Sequence, residues 1–257
     1  MKNEMKSNIV KFRRSILKSV IPEFFWKRFI ELDGAKIPVR GMPYSYGVKR
    51  ILSNGEYEVS ERILIKEIIK EGDHIIEFGG SIGIVTAIMG SYVKESGFII
   101  SVEASHRLTN SSKLWLEPKG NIKILSGIGF PVYEVPEKYK NIEFNDDGNS
   151  LGGKVDFRLI DSNLKSKKYK HDIFDLKSII KAFDIIPTIL VIDIEGSEIV
   201  YLEDNISIPS SIKHIVIEMH PNFYGDTIEK EIIDRLISLG YCNVKEISHV
   251  YLLSQQN

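Results

Sequence analysis

The 257 residues, 43% of them hydrophobic and 27% charged, suffice for one large α/β domain or two small ones and exclude wholesale disorder. A formal net charge of −1 argues against general nucleic-acid binding. The one cysteine, Cys242, excludes an intramolecular disulfide, argues against a cysteine zinc site and favours a reducing compartment. The near-neutral total conceals an asymmetry: residues 1–50 carry 12 Lys/Arg against 4 Asp/Glu, a balance of +8, while the remainder carries −9.

The N-terminal piece reads as helix. Ile9, Phe12, Ile16 and Val20 fall at helical spacing, with Lys11, Arg14 and Lys18 on a separate row. Pro22 restarts the chain, and the segment 8–30 as a whole combines cations (Arg13, Lys27 and Arg28 among them) with Phe24, Phe25, Trp26 and Phe29. Read as a helical segment, that is what an interfacial helix uses on anionic lipid. Packing on the body of the protein, or on a second copy in a homodimer, is the competing reading. A short strand is expected at Lys36–Arg40, a turn-rich stretch at Gly41–Gly47, and a helix over Glu56–Glu71 stopped by Gly72.

From Gly72 onward strand and helix alternate. Strands are expected at His74–Phe78, Gly97–Val102, Asn121–Leu125, Thr188–Ile192 and His214–Ile217. Helices are expected at Ile82–Tyr92, His106–Leu116 and Asp226–Leu239, the last with Gly240 as its stop. Glu195–Leu202 has room for a short helix only. The tail, Asn243–Ser248 and Val250–Leu253, reads as a closing hairpin. The alternation predicts a doubly wound α/β sheet. Asn141–Lys170 interrupts it with Gly/Asn-rich sequence, a strand-like Val155–Ile160 and a basic cluster, and is read as a solvated excursion or an acceptor-binding loop. The longest uncharged stretch, Phe78–Val93, is broken by glycines and falls short of the ~20 residues of a spanning helix. The first residues lack the apolar run of a secretory signal, so a cytoplasmic location is expected, or the inner membrane face if the basic segment binds lipid.

Four strand ends carry the chemistry. His74-Ile-Ile-Glu77-Phe-Gly79-Gly80-Ser81-Ile-Gly83 is a strand, an acid, a glycine turn and a helix start, which offers free N–H groups to an anion. The dinucleotide fingerprint Gly-x-Gly-x-x-Gly fails at Phe78. An acid at this turn suits a ligand bearing an ammonium and a sulfonium. Glu103 ends the next strand, where a carboxylate accepts both ribose hydroxyls of an adenosine. Together Glu77, Gly79, Gly83 and Glu103 favour S-adenosyl-L-methionine over NAD. Asp193, Glu195 and Glu198 follow the fourth strand, and Glu218 and His220 end the fifth. Asp193 has the position for a general base and His220, at an ordinary pKa of ~6.5, the titration range; both stay open. Asp193, Glu195, Glu218 and His220 also make an oxygen-rich set for a divalent metal, which is not the favoured reading.

These residues resemble the FkbM-type S-adenosylmethionine-dependent methyltransferases from about Gly55 to His220. Gly55-Glu-Tyr57-Glu58 is similar to that family's Gly-x-Tyr-Glu, and Glu77-Phe-Gly-Gly-Ser-Ile-Gly83 to its Asp-x-Gly-Ala-Asn-x-Gly. Asp193-Ile-Glu195-Gly196-Ser-Glu198 looks like its Asp-x-Glu-Gly-x-Glu block, and Ile217-Glu218-Met-His220 like its fifth-strand block. Asp175-Leu176 resembles the Leu-Asp ahead of the fourth strand, in reversed order. Glu77 stands for the usual Asp, and Val191 where a Lys is common. The resemblance implies a class I methyltransferase domain over 55–257 behind an N-terminal extension, 1–54. It implies cofactor contacts from Glu58, Glu77, Gly79, Gly80, Ser81, Gly83, Glu103 and Asp193, and catalytic roles for Asp193, Glu195 and His220. The activity implied is in-line O-methylation of a small-molecule or glycan hydroxyl. An NAD-linked oxidoreductase and a non-catalytic binding protein on the same fold are the alternatives.

Overall fold

The computed structural model describes residues 22–140, 144–145, 154–155 and 172–256. Its contacts divide the chain into two compact units, Met1–Val59 and Ser60–Asn257.

In the first unit, a 3-10 turn at Glu23–Phe25 leads to a hairpin of β1 (Phe29–Leu32) and β2 (Ala35–Pro38). Asp33-Gly34 makes the turn with both residues at positive φ, the geometry that matches the twist of the flanking strands. The hairpin corrects the expectation of a helical segment over 8–30. Pro22 and Trp26 are extended, and the Arg28 carbonyl accepts from Val39, so the backbone after the 3-10 turn is committed to the strands. Residues 8–21 lie outside the described residues. Gly41–Gly47 is a turn only in part, because α1 (Tyr46–Asn54) starts inside it, with Ser45 accepting from the Val48 N–H as its N-cap.

The second unit opens with α2 (Val59–Ile68, its first residue shared across the division), which ends short of Gly72. There follow β3 (His74–Phe78), α3 (Ile84–Val93), β4 (Phe98–Glu103), α4 (His106–Leu116) and β5 (Ile122–Ser126). Then come β6 (Ile128–Phe130), the short pair β7 (Phe144–Asn145) and β8 (Lys154–Val155), β9 (Ile173–Asp175) and α5 (Leu176–Phe183). The chain closes with β10 (Ile189–Ile192), a 3-10 helix at Ser197–Leu202, β11 (His214–Glu218), α6 (Pro221–Tyr224), α7 (Asp226–Ser238), β12 (Tyr241–Ile247) and β13 (Val250–Gln255). The rest of Asn141–Lys170, including most of Val155–Ile160, lies outside the described residues. The parallel pair of β6 with β9 was not expected from the sequence.

Seven strands form one sheet in the order β12-β13-β11-β10-β3-β4-β5, parallel except for β13, which is antiparallel to both its neighbours. Every residue of β10 is buried, as is all of β3 beyond His74, which explains their unbroken apolar runs. On one face of the sheet Ile76, Phe78, Ile100, Leu190, Ile192 and Ile215 pack with Leu176 and Ile179 of α5 and Ile232 and Leu236 of α7. Burial of each such side chain contributes ~1.5–3 kcal/mol. The chain runs outward from β3 through β4 to β5, then crosses back to β10 on the other side of β3. The switch point therefore lies between the C-terminal ends of β3 and β10, where open α/β sheets bind ligands. This order, with its C-terminal antiparallel hairpin, is the class I methyltransferase fold.

Candidate functional site

The switch point is built by main chain. Asp193 donates its N–H to the Phe78 carbonyl (2.9 Å), while Gly79 and Gly80 both donate to the Val102 carbonyl (2.8 and 3.3 Å). The turn closes with Gly83 donating to Gly80 (2.8 Å), and α3 starts directly after Gly83. The glycine turn is thus stitched to β4 on one side and to the residue after β10 on the other.

Two acids brace it from beneath. Glu77 is buried, and its Oε2 accepts from the Thr86 hydroxyl of α3 at 2.5 Å. Burial pushes its carboxyl above the ordinary range, with the Ser101 and Thr86 hydroxyls pulling against the shift. One oxygen of Glu77 is thus engaged inward, by Thr86. Glu103 is 8% exposed; Oε2 accepts from the Ser81 N–H (2.8 Å) and Oε1 from the Ser105 N–H (2.7 Å). It joins the glycine turn to the start of α4, where Ser105 is the N-cap. Ser81 holds φ +46, a conformation uncommon for a residue with a side chain. Glu58 lies in the first unit, in the turn ahead of α2, also at positive φ.

A second cluster gathers around His220, the residue ahead of α6. Its Nδ1 is 2.9 Å from Glu198 Oε1, and its Nε2 is 3.3 Å from Asp193 Oδ1 and 4.0 Å from Glu195 Oε2. Glu198 is fully buried, whereas Asp193 and Glu195 are 24% and 35% exposed. Burial works against a charged ring, but the hydrogen bond to Glu198 and the charges of Glu198, Asp193 and Glu195 outweigh it and push His220 up to about 9. The protonated ring is thus favoured relative to an ordinary imidazole. Burial, with Glu195 and Glu198 adding to it, raises the Glu218 carboxyl. Asp193, Glu195 and His220 offer ligand atoms within 4.8 Å of one another, so these three have the spacing to meet on a metal ion; Glu218 is not in that group.

Thr86 and Glu198 act here beyond the expected site residues. Thr86 is a hydroxyl on a helix otherwise apolar on nearly every side, a signal that was present in the sequence. Glu198 reads equally well as a favourable charge at a helix start; only the fold brings it against His220.

A model of the protein-L-isoaspartate(D-aspartate) O-methyltransferase family matches residues 36–145. The chain is 27% identical over 122 residues to the protein-L-isoaspartate O-methyltransferase of Thermotoga maritima; the match covers 43% of this chain and 38% of that relative's length. Among solved structures it is similar to Aeropyrum pernix fibrillarin in complex with S-adenosyl-L-methionine, at 14% identity and a TM-score of 0.43 over 75% of this chain and 71% of that one. A S-adenosylmethionine-dependent methyltransferase of Aquifex aeolicus aligns at 15% identity and a TM-score of 0.40, over 81% of this chain and 97% of that one.

Proposed function

We propose that this chain is an S-adenosylmethionine-dependent O-methyltransferase whose acceptor is a neutral hydroxyl, on a sugar, a glycolipid or polysaccharide unit, or a secondary metabolite. The observation that carries the reading is Glu103, which ends β4 with each oxygen holding one backbone N–H. A carboxylate at the end of the second parallel strand is placed to accept the ribose hydroxyls of an adenosine. The glycine turn beside it, Gly79–Gly83, would take the amino-acid portion on its backbone. S-adenosylmethionine, when bound, supplies a methyl group activated by a sulfonium.

What remains for the chain is positioning, worth much of the barrier in a displacement of this kind, and the acceptor's proton. A ring whose protonated form is favoured by its carboxylate neighbours is the weaker acceptor of that proton, so the role falls to Asp193. A base so placed contributes ~10²–10⁴-fold. His220 Nε2 stands 3.3 Å from Asp193, and the buried Glu198, 2.9 Å from Nδ1, fixes the plane of the ring. Glu195, next to them, is left to orient the acceptor.

The finer resemblance, to FkbM-type enzymes, rests largely on Asp193–Glu198 and Glu218–His220, which lie beyond the matched residues 36–145. A second reading, methylation of a carboxyl as the Thermotoga maritima relative's name states for that protein, is favoured by that match. The acid cluster weighs against it here. Asp193, Glu195, Glu198 and Glu218 surround one imidazolium, and an anionic acceptor would meet net repulsion.

Calorimetry of the full chain with S-adenosylmethionine, S-adenosylhomocysteine and NAD tests the cofactor. The first two are expected to bind and NAD to give no heat; NAD binding alone would overturn the reading. Methyl-transfer assays on glycan hydroxyls and on isoaspartyl peptides then separate the two acceptors.

A further inference from the structure

The first unit displays an unusual concentration of exposed aromatic surface. Among the described residues the exposed phenylalanines are Phe24, Phe25 and Phe29, at 65%, 67% and 38%, all within one six-residue stretch. Phe24 and Phe25 lie together, ring centroids 4.2 Å apart, and two cations stand over the Phe29 ring. Lys36 Nζ is 4.7 Å and the Arg28 guanidinium 5.4 Å from the Phe29 ring centroid. The patch is held in place: Arg40 Nε donates to the Trp26 carbonyl (2.7 Å), and Glu23 accepts from Lys49 Nζ and from the Gly41 N–H (both 2.6 Å). Glu23 is thereby neutralised, and Glu31 stands opposite Lys36 across the hairpin. Lys27, Arg28 and Arg40 leave the surface net positive. The sequence continues this bias through Lys11, Arg13, Arg14 and Lys18.

We propose that this surface docks the enzyme on an anionic lipid bilayer, with Phe24 and Phe25 entering the interface and Lys27, Arg28 and Arg40 meeting the headgroups. Charge complementarity selects this occupant over a second copy. A two-fold dimer through the patch would bring two net-positive surfaces together, with the aromatic side chains as the main attraction. An anionic membrane satisfies both halves of the surface, since aromatic and basic side chains together are what interfacial segments use. The inference stands apart from the chemistry at the crevice and does not depend on it.

The test is co-sedimentation of the full chain with phosphatidylcholine vesicles, with and without a third of phosphatidylglycerol, alongside sedimentation velocity without lipid. The unaltered chain is expected to pellet with anionic vesicles and to remain in solution with neutral ones. Phe24→Ala/Phe25→Ala and Lys27→Glu/Arg28→Glu are each expected to weaken that binding by ~10-fold or more. All these side chains are solvent-facing, so unchanged thermal melts would show that the variants fold. Failure to pellet, equal pelleting on neutral vesicles, or binding unaffected by both double variants would overturn the proposal. So would a dimer that dissociates in the Phe24→Ala/Phe25→Ala variant, or a preference for RNA over vesicles in competition.

Discussion

A β-carbon placed on Gly79 would lie 1.6 Å from the backbone carbonyl oxygen of Asp193. The two residues end neighbouring strands, and main chain meets main chain, so no side-chain rotation relieves the clash. Gly79→Ala is expected to cost more than ~3 kcal/mol of stability or to prevent folding. Gly41 also has positive φ, at +82°, but nothing lies within 4 Å of its added β-carbon. Gly41→Ala therefore isolates the conformational part, ~1 kcal/mol. Urea melts of both variants measure the difference, and equal losses would mean that the Gly79–Asp193 contact relaxes freely.

His220 makes stability depend on pH in a definite direction. Its folded pKa of about 9 lies above the ordinary 6.5. The stabilisation it gives is then fully present below about 6.5 and is lost as pH rises through about 9. Tm is expected to fall by about 2–6 °C from about pH 7 to about pH 9.5, and His220→Gln to flatten that limb. A Tm that holds constant over the range in the unaltered protein would show that the ring is neutral.

The division of labour between Asp193 and His220 is open to kinetics. Asp193→Asn is expected to lower kcat by ~10²-fold or more while leaving S-adenosylmethionine affinity within a few-fold. With Asp193 as base, kcat stays level through neutral pH. A rate that climbs about tenfold per pH unit toward 9 would transfer the role to His220. Turnover is expected to survive EDTA, because the sulfonium activates its own methyl group and positioning supplies much of the rest. Loss with EDTA and recovery with Mg²⁺ would instead place an ion on Asp193, Glu195 and His220.

Glu103→Gln tests the brace under the turn. One amide end of the new side chain would face a backbone N–H, either of Ser81 or of Ser105, donor against donor. A stability loss of ~1–3 kcal/mol is expected, together with S-adenosylmethionine binding weakened ~10-fold or more. An unchanged calorimetric titration would remove Glu103 from the cofactor site.

Much of the sheet was legible in the sequence because its strands are buried on both faces. His74–Phe78 and His106–Leu116 match the expected spans residue for residue, and the other main elements differ by a few residues at their ends. Elements with little apolar pattern were not. α1 buries only Val48, Lys49 and Leu52, too few to mark a period, and β6 and β9 have three residues each. Asp33-Gly34 was a readable hairpin signal that the aromatic cluster before it obscured. At the site, strand position located Glu77, Glu103, Asp193 and His220 at the crevice end of the sheet. It did not reveal that Glu77 turns inward to Thr86, nor that His220 is gripped from both sides. Those facts depend on which side chains the fold places opposite, and the linear order holds no trace of a partner 22 positions away.

The pairing of β6 with β9 carries a consequence of another kind. Tyr139 stacks on Phe130, and Ile128 donates to the Asp172 carbonyl, so the chain departs from the core and returns to it at a single fastened neck. What lies between can be lengthened, shortened or exchanged at small entropic cost, since doubling a loop adds only ~0.6 kcal/mol. Changes of length there would leave the main chain of the switch point, on β3, β4 and β10, untouched.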